Sequence, residues 1–423
     1  MDNLTHSLIG LVAGDAVAHA TRTRGGALSA GARRGLFVTL AAVGGNLPDA
    51  DLILPYARGS RDKISYLLEH RGYTHTVIGC VLLALLLYAC AEGWARYKKY
   101  ALTWSDRCAL FGMALLGTML HLLMDFLNSY GVHPFWPFDN RWVYGDSVFI
   151  IEPIYWIAAA PMFFVVRTWL ARVAVAVATV LAVGLAGFAH PGQWIWIAAI
   201  FLLAVALFVL GRRGSVRRNA LTSAGLMIAV TASFAGAGRV ASSEVETLAA
   251  KAFPSEQLVD HVLSPQPMNP FCWDVLLIQR ATAQGTFSVR HGMVSTLPTL
   301  IPARACPRIF DGRAGGTAPL APVASASSRV VLWFGEFSME TSRLAAVAAA
   351  DCEAQALMQF VRAPFATRVG QKWVLGDLRF DRERGLSMAE VEVDSAAAAG
   401  SRTCRVRAPW VPPRLDLLAK PQP

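Results

Sequence analysis

Histidine and carboxylate residues are concentrated in the first third of the chain, at spacings that suit a metal ion. His121 and Asp125 lie four residues apart in the apolar stretch GTMLHLLMDFLNS, so on a helix they share one face. Ionisable side chains within apolar segments face a cavity or a bundle interior, because exposure to hydrocarbon is costly. The pair therefore predicts either ligands of a divalent cation or a buried hydrogen bond that joins two helices.

A second group of acidic residues lies in NLPDADLI, residues 46–53. Asp49 and Asp51 follow Pro48, and side chains two residues apart in an extended stretch point to the same side. Two carboxylates at short range favour a cation between them. The alternative is that they cap a helix and contact solvent.

The stretch His70-Arg71-Gly72-Tyr73-Thr74-His75 stands directly ahead of the first long apolar run, residues 76–91. Gly72 permits a tight backbone turn, and Thr74 is placed to act as the N-cap of the following helix. We expect His70 and His75 to reach the same site as the carboxylates. Arg71 is then left to contact a substrate.

Further candidate residues lie at the start of the chain and after Asp125. His6 begins the first apolar segment, and the stretch 128–152 supplies His133 and Glu152 among aromatic residues. Such an aromatic stretch is also typical of an anchoring belt at a membrane surface. Nitrogen and oxygen ligands without cysteine suit zinc, manganese or iron. An ion of this kind activates water for hydrolysis or binds a phosphate oxygen.

The composition indicates a membrane protein. Of the 423 residues, 54% are hydrophobic and 16% are charged, whereas about 25% is usual for a soluble chain. Long apolar runs alternate with short basic loops between residues 76 and 237, as in a polytopic membrane protein. The net charge of +10 is explained by those loops, so we expect no nucleic-acid partner.

The apolar runs predict six membrane spans, and two shorter apolar segments at 4–20 and 36–45 precede them. The spans lie at about 76–94, 108–127, 151–166, 173–189, 194–210 and 219–237. Basic residues flank three of the connecting loops, which the positive-inside rule assigns to the cytoplasm. The opposite face then receives residues 46–75, the loop 128–150 and everything after about residue 238.

The C-terminal part of the chain has a different texture. Between residues 238 and 423, short β-like runs alternate with Gly, Pro, Ser and Ala clusters, and an alanine-rich helical stretch lies near 342–360. The predicted fold is an α-helical polytopic membrane bundle with a C-terminal α+β soluble domain that contains an antiparallel sheet. Its parts are a core (1–160), additional transmembrane helices (161–237) and the extramembrane domain (238–423).

Cysteine usage separates the same regions. Three cysteines lie in or beside apolar segments, where a thiol behaves as a small hydrophobe. The C-terminal domain has four, Cys272, Cys306, Cys352 and Cys404, for which three pairings exist. If this domain faces an oxidising compartment we expect two disulfides. The alternative is four buried free thiols.

Four motifs together carry a family resemblance: NLTHSLIG, GNLPDADLI, HRGYTHTVIG and HLLMDFLNSYGVHPFWPF. In order and spacing they resemble the YdjM family of inner-membrane metal-dependent hydrolases, which is distantly similar to the zinc-dependent phospholipase C and single-strand nuclease superfamily. The resemblance covers roughly residues 1–160.

The resemblance implies a set of metal ligands and a multi-pass inner-membrane location. The implied ligands are His6, Asp49 or Asp51, His70, His75, His121 and Asp125, with zinc as the expected metal. For catalysis we assign Asp49 or Asp51 as ligand or base and Arg71 as the group that stabilises negative charge. For substrate binding we assign Asn46, Asn128 and His133.

Two functions from different classes follow from these residues. The first is a membrane hydrolase whose metal-activated water attacks a phosphoester or lipid-linked substrate near the periplasmic face, with the C-terminal domain also periplasmic. The second is a non-enzymatic scaffold or regulator with a structural metal site, which is closed where a catalytic site is open. A transporter is disfavoured, because residues 173–237 carry almost no polar residues in mid-membrane.

Overall fold

The chain folds into two compact units. The computed structural model describes residues 1–21, 26–53, 62–281, 285–308, 316–382, 385–394, 404 and 407–418. The first unit comprises Met1–Asp51, Arg71–Trp136 and Val143–Ala235, and the second comprises Leu52–His70, Pro137–Trp142 and Gly236–Pro423.

The first unit is helical. In chain order the helices are α1 (Asn3–Ala20), α2 (Ala30–Gly44), α3 (Lys63–Glu69, in the second unit), α4 (Val77–Tyr97), α5 (Trp104–Phe126), α6 (Ile154–Ala158), α7 (Trp169–Ala189), α8 (Trp194–Arg212) and α9 (Val216–Ala252). Helices α2, α4 and α5 share an apolar core that includes Phe37, Ala84 and Leu110. Ser29 and Thr103 begin α2 and α5 as N-caps, each accepting a backbone N–H three residues on.

Among the described residues, five helices are long and apolar enough to cross a membrane: α4, α5, α7, α8 and α9. The remaining predicted span, 151–166, is the third in chain order, and the prediction of a single helix there is wrong. The segment is divided into α6 and a 3-10 turn, Ala160–Phe164. Pro161 lies in the first turn of that 3-10 segment. Proline has no N–H to donate to the preceding turn, so the α-helix ends before it.

The broken segment nevertheless runs along the bundle from one end to the other. At its start, the Ile150 carbonyl accepts the backbone N–H of Asp2 at 3.2 Å. At its end, the Val165 carbonyl accepts the Arg34 guanidinium at 2.8 Å, and Arg34 is paired with Asp15. Asp2 and Asp15 are about 20 Å apart along α1 at 1.5 Å per residue. The segment therefore crosses the bundle without forming a continuous helix.

Glycines allow α1, α2 and α5 to pack with their backbones in contact. A Cβ on Gly10 would lie 2.7 Å from the Ala42 Cα, and one on Gly14 would lie 2.7 Å from the Val38 Cα. A Cβ on Gly117 would lie 2.7 Å from the Ala41 carbonyl oxygen. Small residues at helix crossings are typical of membrane bundles, where close packing replaces the hydrophobic effect as the driving force.

We expect Gly10→Ala to lower the free energy of unfolding by about 1–3 kcal/mol, because the added methyl overpacks a crossing of two backbones. Gly93→Ala is the matched control, since nothing lies within 4 Å of a Cβ there. The control is expected to be neutral or slightly stabilising, because alanine favours a helix over glycine. Denaturant titration of both variants in detergent measures the difference. Equal stability of the two variants would contradict the close crossing.

The second unit contains two antiparallel sheets. The first has the order β1 (Glu256–Gln266), β2 (Asn269–Ala281), β3 (Thr286–Ser295) and β4 (Val331–Glu340). The second has the order β5 (Pro364–Val369), β6 (Lys372–Asp377) and β7 (Glu390–Asp394). Helices α10 (Thr341–Ala350) and α11 (Cys352–Met358) connect the sheets, and α12 (Leu415–Leu418) follows. The C-terminal part of α9 packs on the first sheet through Val245 and Phe253 against Trp273 and Val275.

The structure confirms the α+β character of the C-terminal domain and forms two disulfides in it. Cys272 is bonded to Cys306, and Cys352 is bonded to Cys404. The first pair lies in a small buried cluster with Met293. The alternative of four free thiols is therefore wrong for the folded domain.

Candidate metal centre

Four side chains from three separate stretches meet at one end of the first unit. Asp49 lies in a 3-10 turn, Leu47–Leu52, that follows α2, and His75 ends a second 3-10 turn, Tyr73–His75, ahead of α4. His121 and Asp125 lie in the last two turns of α5. One nitrogen or oxygen atom from each side chain lies within 4.8 Å of all the others. We call these four residues the His–Asp cluster.

The distances within the His–Asp cluster match those expected around one tetrahedral ion. His75 Nε2 lies 3.0 Å from His121 Nε2, 3.2 Å from Asp125 Oδ2 and 3.4 Å from Asp49 Oδ1. His121 Nε2 lies 3.4 Å from Asp49 Oδ1 and 3.6 Å from Asp125 Oδ2. Ligands at the usual zinc distances of about 2.0–2.1 Å are about 3.3–3.4 Å apart at tetrahedral angles. The donor set therefore fits a divalent cation.

The ring of His121 is oriented by a backbone carbonyl. Its Nδ1 lies 2.7 Å from the Gly45 carbonyl oxygen. Because a carbonyl only accepts, Nδ1 carries the proton and Nε2 presents its lone pair to the cluster. Gly45 is packed tightly here, since a Cβ on it would lie 3.0 Å from the His6 carbonyl oxygen. The end of α2 thus sets the tautomer of a ligand on α5.

Asp51 lies behind His75, on the side away from the cluster. Its Oδ2 is 3.2 Å from His75 Nδ1 and accepts the Thr74 hydroxyl at 2.8 Å and the Arg71 backbone N–H at 3.1 Å. A carboxylate on the second nitrogen of a histidine fixes the ring and raises its basicity as a ligand. The geometry thus gives Asp49 and Asp51 different positions, one in the His–Asp cluster and one behind it.

We expect Asp51→Asn to weaken metal binding by about 10–100-fold, the usual cost of losing such an outer partner. Asparagine keeps the shape and still accepts from Thr74, so the fold is expected to survive. Competition with a chelating dye measures the affinity. A variant that bound metal as tightly as the wild type would show that Asp51 does not orient His75.

The charges in the cluster favour a cation. Although burial opposes it, the imidazoles of His121 and His75 beside Asp49 hold the pKa of its carboxyl below the ordinary range. Burial also opposes protonation of His75, but Asp125, Asp49 and Asp51 raise the pKa of His75 to about 10. Without metal, His75 is therefore protonated at neutral pH. An ion held through His75 Nε2 would displace that proton, since a ligand nitrogen must be unprotonated.

The guanidinium of Arg71 contacts neighbouring side chains and does not project freely toward a substrate. Its Nε lies 3.0 Å from Asp125 Oδ2, and an Nη donates to Asn128 Oδ1 at 2.8 Å. The guanidinium also lies over the ring of Tyr130, 4.6 Å from the centroid. Its backbone has φ +62°, a left-handed conformation that costs free energy in a non-glycine residue. The contacts of its backbone N–H with Asp51 and of its side chain with Asp125 stabilise this conformation.

His6 and the other predicted residues surround the cluster. The His6 ring stacks on His121 with centroids 3.9 Å apart, and its Nε2 is 3.3 Å from Asp125 Oδ1, the carboxylate oxygen that also contacts the Met1 amino group. Asn46 joins the end of α2 to α1 by exchanging hydrogen bonds with Ser7. These contacts place His6 beside the four ligands and Asn46 in a helix-joining position.

His133 and His70 have different positions. His133 is buried, and its Nδ1 lies 3.3 Å from the Arg71 carbonyl oxygen. Burial lowers the pKa of His133 to about 3, although the Arg71 carbonyl acts in the opposite direction. His133 is therefore neutral. His70 belongs to the second unit, where it follows α3 and stacks on Tyr66 with centroids 5.2 Å apart.

The N-cap of α4 was predicted at the wrong threonine. Thr76, not Thr74, accepts the backbone N–H of Gly79. Thr74 instead contacts Asp51 and lies 3.0 Å from His75 Nδ1. Either threonine fits the capping pattern in sequence. Tyr73–His75 forms a separate 3-10 turn, so the α-helix begins after it and Thr76 stands at the N-cap position.

Comparisons with known proteins agree with the motifs. The chain is similar to an uncharacterised protein, YfhP, of Bacillus subtilis (strain 168), with 27% identity over 123 residues. That region is 29% of this chain and 34% of the relative, so the similarity covers about a third of each. No solved structure matches the chain significantly. Residues 1–214 match the family described as YdjM inner membrane protein, and since this is half of the chain, the protein belongs to that family.

Proposed function

We propose that the protein is an integral-membrane, metal-dependent hydrolase that acts on a phosphoester or lipid-linked substrate. The observation that carries this proposal is the His–Asp cluster, in which five of the six distances between the candidate ligand atoms lie between 3.0 and 3.6 Å. Two neutral imidazoles and two carboxylates without a thiolate suit zinc, with manganese and iron as the other candidates.

Asp49, Asp125 and Arg71 have different roles in the proposed reaction. A divalent ion held there would supply the Lewis acidity that activates water and neutralises a phosphate oxygen. The Asp49 side chain is 9% exposed and that of Asp125 is 1% exposed, so Asp49 is the carboxylate nearer to solvent and marks the side from which water would reach the ion. Arg71 holds Asp125 in place and adds positive charge beside it.

We also propose that the cluster and the C-terminal domain are periplasmic. The basic loops predict the cytoplasmic side of the bundle, and the broken segment 151–166 still runs from one end of the bundle to the other. The two disulfides of the C-terminal domain support an oxidising compartment.

One observation favours the alternative, a structural metal site in a membrane scaffold. His75, His121 and Asp125 are each at most 1% exposed, and structural sites are closed. A hydrolase requires that substrate reach the ion past Asp49, whereas a structural site requires no such access.

The test is hydrolysis by the protein in lipid vesicles, measured on a phosphomonoester, a phosphodiester and fluorescent phosphatidic acid. We expect hydrolysis of at least one substrate, loss of it with a chelator, and recovery on adding zinc or manganese. A protein that contains one ion per chain but hydrolyses none of the three would support the structural role and overturn the hydrolase proposal.

A further inference from the structure

A large apolar cavity lies in the first unit beside the helices that carry the cluster. Its volume is about 510 Å³, and its walls come from α1, α5, α6 and α9. Pockets of about 300–1,000 Å³ are the size that holds small ligands. Two lining residues of the cavity carry hydroxyls, Tyr155 and Thr231. These hydroxyls are hydrogen-bonded to one another at 2.9 Å, and that of Thr231 also donates to the Met227 carbonyl. The walls therefore present an almost wholly apolar surface.

The cavity is elongated and begins at the level of the metal ligands. Ile9 lies one turn from His6 on α1, and Met124 is next to Asp125 on α5; both line the cavity. The far end is lined by Val17 on α1, eight residues from Ile9. Eight helical residues span about 12 Å. The cavity thus runs from the cluster end along the interior of the bundle.

The occupant of such a cavity must be apolar. Water needs several polar partners to occupy a cavity, and these walls offer almost none. The cavity also has exposed residues at its edge, since Leu123 is 46% exposed and Ile228 is 70% exposed. Helices α5 and α9 are long and apolar enough to cross the membrane. Hydrocarbon chains of the bilayer are therefore the molecules that surround this opening.

We infer that this cavity binds one hydrocarbon chain of an amphiphilic substrate whose phosphorylated headgroup lies at the His–Asp cluster. The inference rests on the proposed function for the headgroup and on the cavity for the chain. It narrows the substrate class to phosphoesters of long-chain lipids. A short, water-soluble phosphoester would contact the cluster but leave the cavity empty.

The variant that tests the chain site is Ala232→Phe, with Ala229→Phe as the matched control. Ala232 lines the cavity and is exposed at its edge, so a phenyl ring there fills the cavity without displacing a buried side chain. Ala229 lies on the same helix, is also exposed and does not line the cavity. Retained metal content shows that both variants keep the bundle intact.

The first measurement requires no activity. Vesicles contain phosphatidic acid with a photoactivatable diazirine in its acyl chain, and the crosslinked peptides are identified by mass spectrometry. We expect labels on the cavity residues of α1, α5 and α9, with a yield that falls about five-fold or more in Ala232→Phe, because the ring overfills the space. Labelling of α8, which does not line the cavity, should not change. Equal yields in wild type and Ala232→Phe would overturn the chain site.

The second measurement separates the chain site from the proposed function. We expect Ala232→Phe to lower kcat/KM for long-chain phosphatidic acid by about ten-fold. It should leave kcat/KM for a short-chain phosphatidic acid, which has the same headgroup, unchanged, and Ala229→Phe should change neither value. If Ala232→Phe lowered both to the same extent, the cavity would not act through the chain. If the wild type hydrolysed neither substrate while the crosslinking result held, the hydrolase proposal would fail and the lipid site would remain.

Discussion

Replacing His121 by alanine is expected to remove the bound ion from the purified protein. His121 Nε2 takes part in three of the five short distances in the cluster, and its ring stacks on that of His6. Loss of an outer partner costs about 10–100-fold in affinity, so loss of a ligand itself should cost at least about 100-fold. Elemental analysis after gel filtration measures the ion directly, and the hydrolysis assay is expected to fall to background in the same preparation.

His19→Ala is the matched control for this prediction. His19 is on α1, the helix that carries His6, but it pairs with Asp15 instead, 3.3 Å away, and its side chain is 26% exposed. We expect the control to keep its metal and its activity. A full complement of metal in His121→Ala would show that the cluster is a hydrogen-bonded joint between helices rather than a metal centre.

The seven candidate ligands predicted from the sequence include all four residues of the cluster, because each has a type and a spacing that are unusual in or beside a membrane segment. His121 and Asp125 share a helix face, and the turns that hold Asp49 and His75 stand next to apolar segments. The same reasoning could not separate Asp49 from Asp51. That distinction depends on how the turn after α2 meets the turn before α4, which is a tertiary contact.

The outer partners were also beyond sequence reasoning. The Gly45 carbonyl that orients His121 is a backbone group, and no residue type signals it. The Arg71 conformation with φ +62° has a similar origin, since glycine at position 72 suggested that the turn would be made there. The position of the Gly45 carbonyl depends on the close crossing of α2 and α5, where a Cβ on Gly44 would lie 3.3 Å from the Gly117 Cα.

The same distinction holds for the fold: features with a local sequence signal were predicted, and features that depend on tertiary contacts were not. Five long spans follow from hydropathy, whereas the break at Pro161 separates α6 from the 3-10 turn within an apolar run. In the C-terminal domain the β-like runs predicted at 275–281, 286–291, 329–337, 372–380 and 389–393 correspond to β2, β3, β4, β6 and β7, whereas β1 and β5 were not predicted. β1 contains Asp260 and Pro265 and lacks a clean alternation, so its position depends on pairing with β2.

The four cysteines of the C-terminal domain are expected to be oxidised in cells, as two disulfides. In denatured extracts prepared without reductant, a maleimide of high mass should label three thiols per chain, those of Cys80, Cys90 and Cys108. After reduction it should label all seven cysteines. The difference of four labels is large, and it is independent of any activity.

The disulfides also contribute to stability, which gives the same prediction a second measurement. Cys272 and Cys306 are separated by 34 residues and lie in a buried cluster with Met293. Replacing both by alanine should lower the unfolding free energy by about 2–5 kcal/mol, because the unfolded chain loses its crosslink. Cys90→Ala, at an exposed free thiol, should change it little.

The labelling result also decides the side of the membrane, because disulfides persist in the periplasm and are rare in the cytoplasm. Seven labelled thiols without reductant would place the C-terminal domain in a reducing compartment. In the proposed topology the C-terminal domain and the His–Asp cluster are on the same side of the membrane. The cluster would then have to be cytoplasmic as well. The substrate would in that case have to be presented from the inner leaflet, and the proposed periplasmic reaction would be wrong even if the metal centre were correct.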